Sequence, residues 1–341
     1  LLNMPPRSQF LSTWIGTILI FVTVVVHGGW YTPGWLASQA GTPYFEHELA
    51  VLLNATKLSY ISTSGAYFRN YSINESINLE WERIDGNLFL NPTFGLRALT
   101  FIQPTTGRAL VVFRGTDLTQ DIGGICDQCA DKMLWDGIPY DDLPSQCQQF
   151  NYTTLDYLTG ALTYANAVQS AFPLYTLLFT GHSLGAALAA AVSSVGNLGL
   201  LGNGGCSPTN AGAVVFSPVG YMAALANRTG VDLSLLDGTR VVALADAWDP
   251  IWAQANASYA GGVTGFVCLW RVGIPSSQCV ACDTFEANST SADCTICMGQ
   301  RHVFGHYLSL GNVTPACSQT PRSECEGWSS CPSFGKECTL Q

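Results

Sequence analysis

Charged side chains are scarce in this chain: Asp, Glu, Lys and Arg make up 11% of its 341 residues. A chain kept open by charge and low hydropathy carries far more of them. With 48% apolar residues there is ample material for a core, so general disorder is excluded. Basic residues are the scarcer sign, 14 against 24 acidic, and the formal net charge is -10. No Lys/Arg cluster relieves that balance, so nucleic acid is not an expected partner. Histidine is confined to His27, His47, His182, His302 and His306. Chemistry that needs an imidazole has only those five places to be.

Cysteine, by contrast, is plentiful, with thirteen in the chain. Eight N-x-[ST] sequons begin at Asn54, Asn70, Asn74, Asn151, Asn227, Asn256, Asn288 and Asn312, while Asn91 is followed by Pro and drops out. Together they point to the secretory route. The odd cysteine count leaves at least one thiol free or paired elsewhere. C-x-x-C pairs start at Cys126, Cys279 and Cys294. Zinc or redox chemistry is the rival reading, but the Asn288 sequon between the last two pairs and the oxidising context favour disulfides. Phe10 to Val26 is apolar apart from Ser12, Thr13, Thr17 and Thr23. Its length lies between a signal-peptide core and a short membrane helix, so it reads as a signal peptide or as an anchor with membrane association.

The stretch with the sharpest chemistry is Thr180 to Ala187, T-G-H-S-L-G-A-A, which contains a G-x-S-x-G pentapeptide centred on Ser183. An apolar run from Pro173 to Phe179 precedes it, and the small, helix-favouring run Ala186 to Val192 follows. Strand, sharp turn, helix is the context of a nucleophile elbow, in which the turn lifts the Ser hydroxyl into a cleft. Glycines at 181 and 185 let strand and helix pass closely, and the helix N-terminus aims N–H groups at developing negative charge. The plain alternative is a Gly-rich turn with Ser as a helix cap.

Around it, Glu46 to Ser62 has a helical period. Phe94 to Gln103 and Ala109 to Arg114 read as a hairpin about Pro104-Thr-Thr-Gly107, and Tyr152 to Phe172 as a helix. Ala211 to Pro218 and Gly238 to Ala245 are further strands. This alternation predicts an α/β domain with a mainly parallel sheet. Ser72 to Asn91 is polar, and Asp117 to Phe150 has Cys126, Cys129 and Cys147 but no clean period, so it is a candidate lid. The segments are 1–40, signal or anchor and linker; 41–315, the catalytic-type domain with insert 117–150; and 316–341, a Cys-rich tail.

An alcohol nucleophile needs a base, an orienting acid and an oxyanion site. In the order Ser, acid, His, Asp249 at the end of a strand is the candidate acid and Asp246 its competitor. His27 and His47 precede the Ser, and His182 lies inside the elbow. That leaves His302 and His306.

The set F-R-G-T at 113–116, T-G-H-S-L-G-A-A-L-A at 180–189, F-S-P-V-G at 216–220, D-P-I at 249–251 and H-x-x-x-x-Y-L at 302–308 resembles the class 3 (fungal-type) lipases over roughly residues 45 to 310. The resemblance implies an α/β-hydrolase-type, mostly parallel central sheet flanked by helices, with the disulfide-rich insert at the lid position. It implies Ser183 as nucleophile, Asp249 as acid and His302 as base, with Thr116 and Leu184 N–H groups as the oxyanion hole and no metal or cofactor. Fungal members place the His three residues before the aromatic, which is Phe304 here, so His306 remains the alternative base.

The expected activity is hydrolysis of lipid esters, acylglycerols first, at a lipid–water interface. Phospholipids or other carboxylic esters are the alternative with the same residues. A lipase-like binding protein without turnover would be expected to lack one of the three side chains, and all three are present.

Overall fold

The computed structural model describes residues 33–61, 81–90, 94–196, 211–232, 240–254, 262–263, 265–271, 277–282 and 292–318. The apolar segment at 10–26, the sequons at Asn70, Asn74, Asn256 and Asn288, and the tail beyond residue 318 lie outside these residues. Among the described residues no helix is long and apolar enough to cross a membrane.

Eight strands form one sheet whose spatial order is the chain order: β1 Glu82–Leu90, β2 Ala98–Gln103, β3 Arg108–Phe113, β4 Thr176–Gly181, β5 Ala211–Phe216, β6 Val241–Asp246, β7 Phe266–Trp270 and β8 Ala316–Cys317. The first three pair antiparallel, β3 to β7 run parallel, and β8 closes the far edge antiparallel. The mostly parallel sheet flanked by helices is the α/β-hydrolase-type architecture expected from the sequence. The hairpin is also where its turn residues put it, with Thr106 N–H donating to Gln103 O.

The longer helices are α1 Pro43–Tyr60, α2 Ile122–Leu134, α3 Tyr157–Ala171, α4 Leu184–Gly196, α5 Met222–Thr229, α6 Ala292–Arg301 and α7 Phe304–Leu310. They cover both faces of the sheet, which is why the inner strands read as unbroken apolar runs rather than alternating ones. Along β3, Ala109, Val111 and Phe113 enter the cluster that holds α2, α3 and α4, while Leu110 and Val112 enter the cluster that holds α1 and α7. Along β5, Ala213 and Val215 face the first layer, and Val214 and Phe216 the second.

Local chemistry sets the helix starts. Thr42 accepts from Phe45 N–H ahead of Pro43, and Asp121 accepts from Gly124 N–H at 2.8 Å. The helix expected over 152–172 is broken at Asp156, whose ψ of 69° leaves the helical region; its side chain then caps α3 by accepting from Thr159 N–H.

Further elements differ from the sequence reading, among them β8, since Ala316–Cys317, read as the start of the tail, pairs with β7. The polar stretch before Asn91 contains β1, and β7 is a strand that the sequence reading left unassigned, although F-V-C-L-W at 266–270 is an apolar run. The insert at 117–150 is not irregular throughout: α2 occupies its first half, with Cys126, Asp127, Cys129, Ala130, Met133 and Leu134 buried. Its inner face mixes cysteine and aspartate with apolar residues, so no hydrophobic period shows. A Cys129–Cys147 disulfide ties α2 to the rest of the insert, and the Asp127 carboxylate is buried against Arg114 and Tyr157.

The C-x-x-C spacing is not the pairing unit at Cys126 or Cys279. Cys129 bonds Cys147, leaving Cys126 as a buried free thiol, and Cys279 bonds Cys297. Cys268 bonds Cys317, locking β8 onto β7.

Candidate active site

The C-terminal ends of β3, β4, β5 and β6 converge on one place, as open α/β sheets arrange their sites. At the end of β4 the chain turns sharply through Ser183, whose φ of 57° lies in the left-handed region. A Cβ there is strained, and Ser183 is held by its surroundings: its N–H donates to Phe216 O at 3.0 Å, and its carbonyl accepts from Ala187 N–H as α4 begins.

The flanking glycines are required by contact. A Cβ on Gly185 would lie 2.2 Å from Phe113 O, and one on Gly181 would lie 2.5 Å from the Gly185 backbone. Gly115, at the end of β3, passes so close to the elbow that a Cβ would meet His182 O at 2.4 Å.

The ring of His302 bridges two groups. Its Nε2 is 2.8 Å from Ser183 Oγ, and its Nδ1 is 2.8 Å from Asp249 Oδ2 and 3.0 Å from Oδ1. Asp249 is fully buried. Its Oδ1 accepts from Ile251 N–H at 2.9 Å, while Oδ2 accepts from Tyr307 Oη at 2.6 Å and Ser217 Oγ at 2.5 Å. Burial works against the carboxylate, but the His302 charge and the hydrogen bonds from His302, Ser217 and Tyr307 outweigh it, and the Asp249 pKa lies below its ordinary value.

The competing pair sits together elsewhere. His306 Nε2 is 2.5 Å from Asp246 Oδ2, and Arg301 reaches the same oxygen at 3.2 Å. So the structure brings Ser183, His302 and Asp249 into one chain of contacts and sets His306 and Asp246 beside it.

His182 is buried behind the elbow. Its Nδ1 meets Tyr60 Oη at 2.9 Å, and its ring packs 4.7 Å from that of His302. Burial first, and the nearby His302 second, push its pKa well below the ordinary value, so it is a neutral packing group. Phe304, at the position where the fungal pattern has its His, stacks on Tyr60 at 5.6 Å.

Of the two expected oxyanion donors, Leu184 is the first residue of α4, and Thr116 follows the Gly115 contact with the elbow. Neither N–H is engaged by another described group. The Thr116 hydroxyl donates to Asp131 Oδ2 at 2.7 Å, which directs its proton away from the site. Two further residues belong to the site, Ser217 and Tyr307. The sequence offers Tyr307 only as part of H-x-x-x-x-Y-L and Ser217 only as part of F-S-P-V-G.

Solved fungal lipases resemble this chain. A lipase of Yarrowia lipolytica matches with a TM-score of 0.39 and 17% identity over 68% of this chain and 79% of that one. Lipase II from Rhizopus niveus matches with a TM-score of 0.42 and 15% identity over 69% and 83%. A lipase from Rhizopus microsporus var. chinensis gives 0.41 and 14% over 69% and 77%. No protein-family model and no curated protein matches the chain. Likeness at this level concerns backbone arrangement, and the chemistry rests on the atoms of the site itself.

Proposed function

We propose that this protein hydrolyses carboxylic esters of lipids, with Ser183 as nucleophile, His302 as base and Asp249 as the acid that orients it. The observation that carries this reading is the two-sided engagement of His302, with 2.8 Å contacts to Ser183 at one nitrogen and Asp249 at the other. A serine hydroxyl is inert without a base, and an imidazole is a competent base only in the tautomer that leaves the nitrogen facing Ser unprotonated. Asp249, accepting at Nδ1, fixes that tautomer.

Attack of Ser183 Oγ on an ester carbonyl passes its proton to His302 Nε2. The oxyanion is held by the N–H groups of Thr116 and Leu184, each such donor being worth about 3 kcal/mol of barrier. His302 returns the proton to the leaving alcohol. Water activated by the same ring then releases the acid from the acyl-enzyme.

Lipid as the substrate follows from the motif resemblance and fits the exposed apolar residues after Thr116: Leu118 is 72% exposed and Ile122 42%. The buried contacts of α2 favour a fixed wall at 117–150 whose outer edge meets lipid, over a lid that swings as one body. The disulfides Cys129–Cys147, Cys268–Cys317 and Cys279–Cys297 support an oxidising compartment and thus the secretory route.

The test is hydrolysis of emulsified triacylglycerol and of short soluble esters by the wild type and Ser183→Ala, with labelling by a fluorophosphonate. Activity that falls about a million-fold in the variant, with labelling lost, is the expected outcome. Turnover on soluble esters alone would narrow the reading to an esterase. A correctly oxidised, folded protein that neither turns over nor labels would sink it.

A further inference from the structure

Among the described residues, two that are not glycine have positive φ: Ser183 at 57° and Ser217 at 45°. One carbonyl links them. Phe216 O accepts the Ser183 N–H at 3.0 Å, and the next residue is Ser217, whose own N–H donates to Leu244 O at 2.8 Å. The dipeptide therefore joins the elbow to β6, the strand that leads to Asp249.

Strand alternation would carry residue 217 onto the face that Val215 occupies, among α2, α3 and α4. Tyr307 lies in the opposite layer. The left-handed turn takes Ser217 out of that alternation. Its hydroxyl, fully buried, donates to Asp249 Oδ2 at 2.5 Å and lies 3.3 Å from His302 Nδ1. Glycine would adopt this backbone more easily; what serine adds is the hydroxyl.

We infer that Ser217 is a positioning residue that fixes the Asp249 carboxylate against His302. Backbone N–H groups of Ile251 and Trp252 hold Oδ1, while Oδ2 is held by Ser217 and Tyr307 as well as by His302. Without Ser217, Oδ2 keeps Tyr307 alone as a donor other than the ring it must orient. The carboxylate then gains freedom to turn away from Nδ1, and the imidazole loses its fixed plane. The titratable and charged groups around this point are Asp249, His302 and Tyr307, with His182 behind the elbow and, against Tyr307, Asp246 with its partners His306 and Arg301.

The effect on turnover rests on the ester-hydrolase reading, so the experiment uses two readouts. Ser217→Ala and Ser217→Gly are compared with wild type in the kinetics of a soluble nitrophenyl ester. They are also compared by proton NMR of the downfield Nδ1–H resonance of His302, assigned by its loss in His302→Ala. Both variants lack the hydroxyl, but Ser217→Gly relieves the backbone, so a folding defect confined to Ser217→Ala leaves Ser217→Gly as the test.

Expected are a kcat about tenfold lower in both with KM unchanged, and a shifted, faster-exchanging resonance. Wild-type kcat and an unmoved resonance in Ser217→Gly would overturn the inference. If wild type hydrolyses no ester while the resonance still shifts in both variants, the activity reading falls and the positioning role stands.

Discussion

His306 lies in the first turn of α7, four residues after His302 in the turn between α6 and α7, yet its Nε2 lies 2.5 Å from Asp246 rather than at Ser183. The chain thus carries two Asp–His pairs side by side, Asp249–His302 and Asp246–His306. Only the first touches the serine hydroxyl.

Substitution should separate the two pairs. His302→Ala is expected to lower kcat by four orders of magnitude or more, on the order of what removing a base costs in such a relay. His306→Ala should leave kcat within about tenfold of wild type. It should cost roughly 1–3 kcal/mol of stability, the penalty for leaving a buried acceptor short of a partner, softened because Arg301 still reaches Asp246. The reverse pattern in paired kinetic and denaturation measurements would exchange the roles.

The elbow should be intolerant of one methyl group. Gly185→Ala would set a Cβ 2.2 Å from Phe113 O, a backbone atom of a central strand with nowhere to go. A loss on the order of 4 kcal/mol, at the upper end for single substitutions, is expected from urea unfolding. Gly299→Ala, where no atom lies within 4 Å of the added Cβ, is the matched control and should be near neutral.

Asp131 should make stability depend on pH in the direction opposite to an ordinary carboxylate. Burial pushes its pKa up from 3.8 to about 7, against the hydrogen bonds from Thr116 and Trp135. Between those values the folded protein holds a proton that the unfolded chain has released. Its contribution to stability therefore falls as pH rises through that interval, by about 1.4 kcal/mol for each pH unit crossed, and the loss is complete above the folded value. The stability difference between Asp131→Asn and wild type, followed from pH 4 to pH 8, should grow in favour of the substituted protein. A difference independent of pH would contradict the assignment.

The anchoring of the 117–150 insert can be tested through its disulfide. Cys129 and Cys147 close a loop with a separation of 18 residues. Replacing both by Ala should cost about 3 kcal/mol, the chain-entropy value for such a loop. Limited proteolysis should then cut near the two short turns at Tyr140–Asp142 and Ser145–Cys147 sooner than in the parent. An unchanged cleavage rate would mean that the buried face of α2 holds the insert without the bond.

The elbow, the hairpin and the inner strands were legible because each rests on local rules: glycine where backbones nearly touch, turn residues at 104–107, and continuous apolar runs where a strand is covered on both faces. The choice between His302 and His306 was not legible, since both sit at helical spacing ahead of or beside Tyr307, and Asp246 and Asp249 offer matching acids three residues apart. Only the three-dimensional path of the turn after β6 separates them. Helix α2 was hidden because its buried face carries Asp127 and two cysteines, whose burial depends on Arg114 and Cys147. β1 was hidden by Glu82 and Arg83, polar residues that a sheet edge tolerates. Ser217 gave no signal, because its part in the site depends on a backbone angle that its residue type does not announce.

The strand order of the sheet has a consequence for biosynthesis. Because each strand lies next to its predecessor, a chain emerging from its N-terminus can extend the sheet one edge at a time, without reserving a gap for a later strand. Ser183 would already be seated on Phe113 and Phe216 when Asp249 emerges, but His302 comes more than fifty residues after that acid. The half-made protein would hold a bent, inert serine. On the function proposed above, the base would reach the serine only with the last helices, after the sheet that must bear the strain is largely built.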